Sequence, residues 1–226
     1  MRLFSIWFIF ILFSFFLSCK QKPEIKIISK YENGKITQIH TYNNPSDTLS
    51  FLETEYYESG KISYQGSYVN KTKDGHWVWY FPNGILKDSA TYHNGDFVGR
   101  RVHWDSLGHL TKLEIITGPC YDCCCDGEVV SYYPNGQIQS QTHMLRGREN
   151  GKYVYHYENG QPRKEQFYND GIKEGNYYEW FGNGKKWVIG YYRQGKMDSL
   201  WTWFDSTGLV KSIQELKNGE LIRDIK

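Results

Sequence analysis

Tyr168 to Gly184 reads YNDGIKEGNYYEWFGNG. Two turn-forming clusters, Asn169-Asp170-Gly171 and Gly182-Asn183-Gly184, bracket a run rich in tyrosine and tryptophan. Asp-Gly and Asn-Gly pairs accept the positive φ angles that tight hairpin turns demand. Between them, alternation with period two sends successive side chains to opposite faces of a strand. The stretch therefore predicts a β-strand held between two hairpin turns. HWVWYF (His76–Phe81) and KYVYHY (Lys152–Tyr157) repeat the pattern, with the aromatic and β-branched residues that favour strands.

Outward from this stretch the turns recur in register. Gly34, Gly60, Gly84, Gly108, Gly136, Gly160, Gly184 and Gly208 close YENG, YESG, FPNG, DSLG, YPNG, YENG, FGNG and DSTG. Their spacings are 26, 24, 24, 28, 24, 24 and 24 residues, so eight units fill residues 31–226. A second glycine follows fifteen residues later at Gly75, Gly99, Gly151 and Gly175, with Ser199 in its place once. Four residues before the anchor glycine stand Tyr56, Tyr80, Trp104, Tyr132, His156, Trp180 and Phe204. Six before it Val78, Val102, Val130 and Val154 recur, and eight after it every unit is apolar, from Tyr42 to Leu216. These columns predict the buried face. One hairpin is marginal in water, so neighbouring units must shield one another.

The run from Tyr168 to Gly184, and Tyr92-His93-Asn94-Gly95 through Gly99 to Trp104, resemble the bacterial variant of the MORN repeat. Proteins built this way are often labelled YwqK-like antitoxins. The resemblance implies an all-β fold: an elongated single-layer antiparallel sheet of consecutive β-hairpin repeats. It also raises an antitoxin or immunity role as an alternative function.

The N-terminus sets the address. Leu3 to Leu17, LFSIWFIFILFSFFL, carries no charge and follows Arg2. It is shorter than the roughly 20 residues of a membrane span and suits the apolar core of an export signal. Phe16-Leu17-Ser18-Cys19 resembles a bacterial lipobox, which implies cleavage after residue 18 and acylation of Cys19. Residues 19–30 are expected to form a tether. Lys20 after the acylated cysteine, in place of an inner-membrane retention aspartate, favours the outer membrane. Without residues 1–18 the chain holds 26 Lys and Arg against 25 Asp and Glu. That balance argues against nucleic-acid binding, which shows a basic face.

Four of the five cysteines crowd into GPCYDCCCDGE (Gly118–Glu128) as Cys120, Cys123, Cys124 and Cys125. The fourth unit is four residues longer than the common one, and the excess lies here. The cluster is therefore an enlarged hairpin tip carried on the scaffold. An exported chain meets oxidising conditions, which favours disulfides. Thiolates also hold Zn²⁺ or Cu⁺, with His109 or His143 as further ligands, and a redox loop is a third reading.

No nucleophile elbow, HExxH motif or phosphate loop occurs, so a non-enzyme without cofactor is expected. His156, in an aromatic column, reads as a packed ring. Seven, five and three residues before the anchors stand Trp77, Trp79 and Phe81, then Tyr153, Tyr155 and Tyr157, then Tyr177 and Phe181, then Trp201 and Trp203. Either these rings shield the second face, or they form a trough that receives a protein, peptide or glycan. The expectation is a lipid-anchored envelope scaffold that binds a protein or envelope component.

Overall fold

The structure is a computed structural model describing residues 22–121 and 124–226, without the side chains of residues 119–125. Its strands run in chain order as β1 (Glu24–Lys30), β2 (Ile36–Tyr42), β3 (Phe51–Tyr56), β4 (Ile62–Val69), β5 (Thr72–Tyr80), β6 (Leu86–His93), β7 (Asp96–Trp104), β8 (Leu110–Tyr121) and β9 (Cys124–Tyr132). They continue as β10 (Ile138–Leu145), β11 (Arg148–Glu149), β12 (Gly151–His156), β13 (Pro162–Asn169), β14 (Ile172–Trp180), β15 (Lys186–Arg193), β16 (Lys196–Phe204), β17 (Val210–Lys217) and β18 (Glu220–Asp224). Chain neighbours pair antiparallel, except that β11 and β12 lie along the same partner strand. Only Asn150 separates β11 from β12, and both pair with β10. Among the described residues there is no helix. The expected all-β sheet of consecutive hairpins is what the chain forms.

Two turn types alternate, apart from the eight-residue connection 43–50 between β2 and β3. At the anchor turns, Phe81 N–H donates to the Ile85 carbonyl and Gly84 N–H to the Phe81 carbonyl, both at 2.8 Å. This closes a three-residue loop in which Gly84 alone takes a positive φ, +91°. Asn83 serves the loop with its side chain, Oδ1 accepting the Ile85 N–H at 3.0 Å. The turns in which both central residues have positive φ lie at the opposite rim, as at Asn94-Gly95 and Asp170-Gly171.

Each anchor turn adds one residue to the strand that leaves it. Tyr80 faces Leu86, but Trp79 faces Asp88 and Trp77 faces Ala90. Counting by twos across the turn therefore inverts the face. The column eight after the anchor, expected with the rings four and six before it, lies instead with Trp77 and Trp79. That face is the more deeply packed one. Trp77 is 1% exposed and Trp201 3%, and Tyr42, Ala90, Val188 and Leu216 are buried with them. On the opposite face, among the described residues, only Thr54 and Val130 reach that depth.

Trp77 shows how a single layer makes a core. Its indole lies flat on the backbone of Gly66, where an added Cβ would meet ring carbon Cδ2 at 2.0 Å. Tyr68 and Tyr92 stand edge-on at 5.2 and 6.1 Å. Lys73 Nζ caps the ring 4.1 Å from its centroid, and the indole N–H donates to the Ser67 carbonyl at 3.1 Å. Floor, walls and lid come from three consecutive strands. A tryptophan buried this way contributes several kcal/mol, at about 25 cal/mol per Å² over some 150–250 Å².

A second device ties unit to unit at the anchor rim. The hydroxyls of Tyr31, Tyr57, Tyr133 and Tyr157 donate to the carbonyls of Tyr56, Tyr80, His156 and Trp180 in the following unit, at 2.6–2.8 Å. Asp105 and Asp205, which replace the ring, use Oδ1 instead to accept the N–H groups of their own turns.

Residues 24–30, expected as tether, form β1 and pair with β2. The alternation in EIKII is strand-like, and a bulge at Ile28 shifts the register against β2. Such bulges and the flanking lysines Lys26 and Lys30 blunt an edge strand. Cys19 and residues 1–18 lie outside the described residues.

Candidate functional site

The face built on the tryptophan seats carries two aromatic clusters. The first gathers His40, Phe51, Tyr64, Tyr68, Trp77 and Trp79 across β2 to β5. His40 stacks on Phe51 at 3.9 Å and Phe51 on Tyr68 at 5.0 Å. The second is centred on Trp201, whose indole lies on Gly190 as Trp77 lies on Gly66. Tyr177, Tyr192 and Trp203 surround it at 5.4, 5.1 and 6.0 Å. Val188 and Leu216 complete the buried cluster, with Met197 packed on it.

Between the clusters the same columns hold charges. Arg101 grips Asp88 through Nε at 3.2 Å and a terminal nitrogen at 2.9 Å. His103 sits between two carboxylates, Nδ1 at 3.1 Å from Asp88 and Nε2 at 3.3 Å from Glu114. Lys112 pairs with the other oxygen of Glu114. Hydrogen bonds to Asp88 and Glu114 raise His103 to about 9, so it is an imidazolium at neutral pH. The bond from His103 lowers Glu114 to about 2, with Lys112 acting the same way against burial. Burial pushes Asp88 up, yet the bonds from His103 and Arg101 hold it below the ordinary value. A smaller cluster of the same kind links His40, Glu53 and Tyr64, with Glu53 accepting from Tyr64 at 2.8 Å. Burial and the bond to Glu53 keep the Tyr64 phenol protonated well above its usual range.

The ring residues singled out in the sequence divide by depth. Trp77 and Trp201 are core and offer no surface. Trp79, Phe81, Tyr153, Tyr155, Tyr157, Tyr177 and Trp203 remain half-buried on the same side. Cations cover several of them: Lys87 over Phe81, Arg163 over Tyr155 and Tyr157, and Lys164 over Tyr153, at 5.2–5.7 Å. Trp187 escaped notice because it sits in the extra-residue position after an anchor turn. It is 45% exposed and lies 5.8 Å from Phe181. Asp88, Lys112 and Glu114 stand out in no repeat column, and the residue added after each anchor turn is what brings them to this face.

His156 is a packed ring. Its Nδ1 has no hydrogen-bond partner among the described residues, and burial lowers its basicity. His109 is committed to Asp105 at 2.9 Å. In the long hairpin of β8 and β9, Cys120 faces Cys125 and Tyr121 faces Cys124 in the backbone register. Cys123, and the side chains of Cys120, Cys124 and Cys125, lie outside the described residues. Among the described residues no group of His, Cys, Asp and Glu is arranged to hold a metal.

Stacked hairpins joined by ring seats and rim tyrosines define a β-hairpin repeat protein. Five segments of the chain, residues 23–44, 52–70, 73–94, 126–145 and 149–170, match the MORN repeat variant. No curated protein matches the chain. The units after residue 170 repeat the same turn geometry, with positive φ at Gly171, Gly184, Gly195 and Gly208. Repeats of this variant form a non-catalytic scaffold of the kind that engages proteins or membranes.

Proposed function

We propose that the chain is a lipid-anchored scaffold of the bacterial envelope, held by Cys19, favoured in the outer membrane, and binding a protein or envelope component without catalysis. One observation carries the binding part: the two ring clusters lie on one side of a single sheet, and Trp79 and Trp203 keep part of their surface open there. Partly exposed tryptophan on a rigid scaffold is the usual material of binding hot spots. The uncharged run from Leu3 to Leu17 before Cys19 supports export and anchoring.

Crosslinking and capture from intact cells tests the reading. Wild type should retain one defined partner that Trp79→Ala or Trp203→Ala loses, while both variants stay folded. Equal capture by wild type and variants would return these rings to a shielding role. For the anchor, wild type should partition into the detergent phase and Cys19→Ser into the aqueous phase; identical partitioning would remove the lipid. Toxicity on loss of the gene, relieved by loss of a neighbouring gene, would replace this reading with an antitoxin.

A further inference from the structure

The shelf formed by Phe181, Trp187 and Trp203 borders an open cavity of about 420 Å³, with Asp205, Lys211 and Ser212 at its rim. That volume lies within the range of small-molecule sites, about 300–1,000 Å³. Trp203 faces Val188 on one side and Ser212 on the other. In two other units the position of Trp187 carries a cation that closes over the local ring, Lys87 over Phe81 and Arg163 over Tyr157. Here the cover is replaced by a second ring, tilted 37° from Phe181, and the shelf widens.

Part of the polar rim is free. Lys211 and Ser212 make no side-chain hydrogen bond or ion pair among the described residues. Asp205 accepts the N–H groups of Thr207 and Leu209 through Oδ1, leaving Oδ2 outside those bonds. Bonds from Thr207 and the turn keep this carboxylate below its ordinary pKa, so it accepts and does not donate. Phe181 also has no hydroxyl, so the Phe204 carbonyl lacks the rim-tyrosine bond that Trp180 receives from Tyr157.

We infer that this shelf binds a pyranose unit of a glycan. A β-linked pyranose of glucose configuration presents an array of axial C–H bonds on each face and hydroxyls around its edge. The negative face of an aromatic ring attracts those C–H bonds, while a carboxylate, an ammonium and a hydroxyl at the rim match the sugar's donors and acceptors. An apolar peptide side chain would use the rings and leave the rim groups unused. The inference rests on the scaffold reading and narrows it to one ligand class at one end of the sheet.

The test uses the purified full chain in a non-glycosidic detergent, titrated with cellotetraose and with the β-1,4-linked tetramer of N-acetylglucosamine. Tryptophan fluorescence and calorimetry read the binding. At least one sugar should bind, and Trp187→Ala should weaken it about tenfold or more, near 1.4 kcal/mol. Lys211→Ala with Ser212→Ala should weaken it several-fold, and Leu107→Ala, at an exposed turn of another unit, should leave it unchanged. Trp187 is exposed, so the variant's thermal melt should match wild type. No binding at about 10 mM, where affinities of only a few kcal/mol register, would overturn the assignment. So would unchanged binding by folded Trp187→Ala, or equal weakening by Leu107→Ala. Partner capture that survives Trp187→Ala in cells would leave the scaffold reading intact after a negative sugar result.

Discussion

Trp201 occupies the space that a side chain at position 190 would need: a Cβ on Gly190 would lie 2.3 Å from ring carbon Cδ2. Trp77 and Gly66 repeat the relationship 124 residues earlier in the chain. The tryptophan stands seven before one anchor glycine and its floor six after the previous one. Glycine is required here for close approach, since neither floor glycine has a positive φ. Gly66→Ala and Gly190→Ala should each destabilise by at least about 1–3 kcal/mol, the usual range for overpacking. Trp77→Ala should cost about 3–5 kcal/mol. Urea unfolding checks both, and a floor alanine with unchanged midpoint would show that the indole does not rest there.

Ser199 holds φ at +62° where the other units place Gly75, Gly99, Gly151 or Gly175. An L side chain in this region costs about 1–2 kcal/mol, which glycine avoids at some loss of chain entropy. Ser199→Gly should therefore stabilise by about 0.5–1 kcal/mol, a rise in Tm of about 2–4 °C at most for a chain of this size. A lower Tm would mean that the bond from Ser199 Oγ to Asp198 outweighs the strain.

The charged centre predicts a plateau in stability against pH. His103 is raised from 6.5 to about 9, so its contribution is complete below 6.5 and lost as pH rises through about 9. Glu114 is lowered from 4.5 to about 2, so its contribution is complete above 4.5 and lost as pH falls through about 2. Both groups are partly solvated, so each limb should amount to about 1 kcal/mol after screening. Unfolding midpoints in wild type and His103→Gln check this. The variant should lose the alkaline limb; an alkaline limb of equal size in both proteins would assign it elsewhere.

The rim tyrosines should act as independent ties. Tyr157→Phe removes the bond to the Trp180 carbonyl and should cost about 0.5–1.5 kcal/mol. Phe181→Tyr supplies a hydroxyl where Phe204 has no such donor and should stabilise, while narrowing the aromatic shelf. Thermal melts of both variants check the pair.

Much of this fold was legible because its unit is short and repeats. The anchor glycines all take positive φ, and the spacing of 24 residues marks successive hairpins. What failed was parity. The residue added after each anchor turn moved Tyr42, Tyr68 and Leu216 to the face of Trp77, and no composition signal announces a bulge. Trp77 and Trp201 looked like surface candidates because tryptophan serves both cores and interfaces. Only the floor glycines, Gly66 and Gly190, distinguish the seat, and they become visible once the register is known. Trp187 hid in the added position itself. The charged centre needed the same correction, since Asp88, Glu114 and His103 are far apart in the chain and adjacent only across β6, β7 and β8.

Photocrosslinking in intact cells tests the binding face most directly. A photoreactive phenylalanine analogue at positions 79 and 203 lies on the ring-cluster side; at positions 80 and 204 it lies on the opposite side of the same strands. Adducts of one defined size at 79 and 203, and none at 80 and 204, are the result expected. Adducts at 80 and 204 alone, or equally at all four, would contradict the assignment of this face.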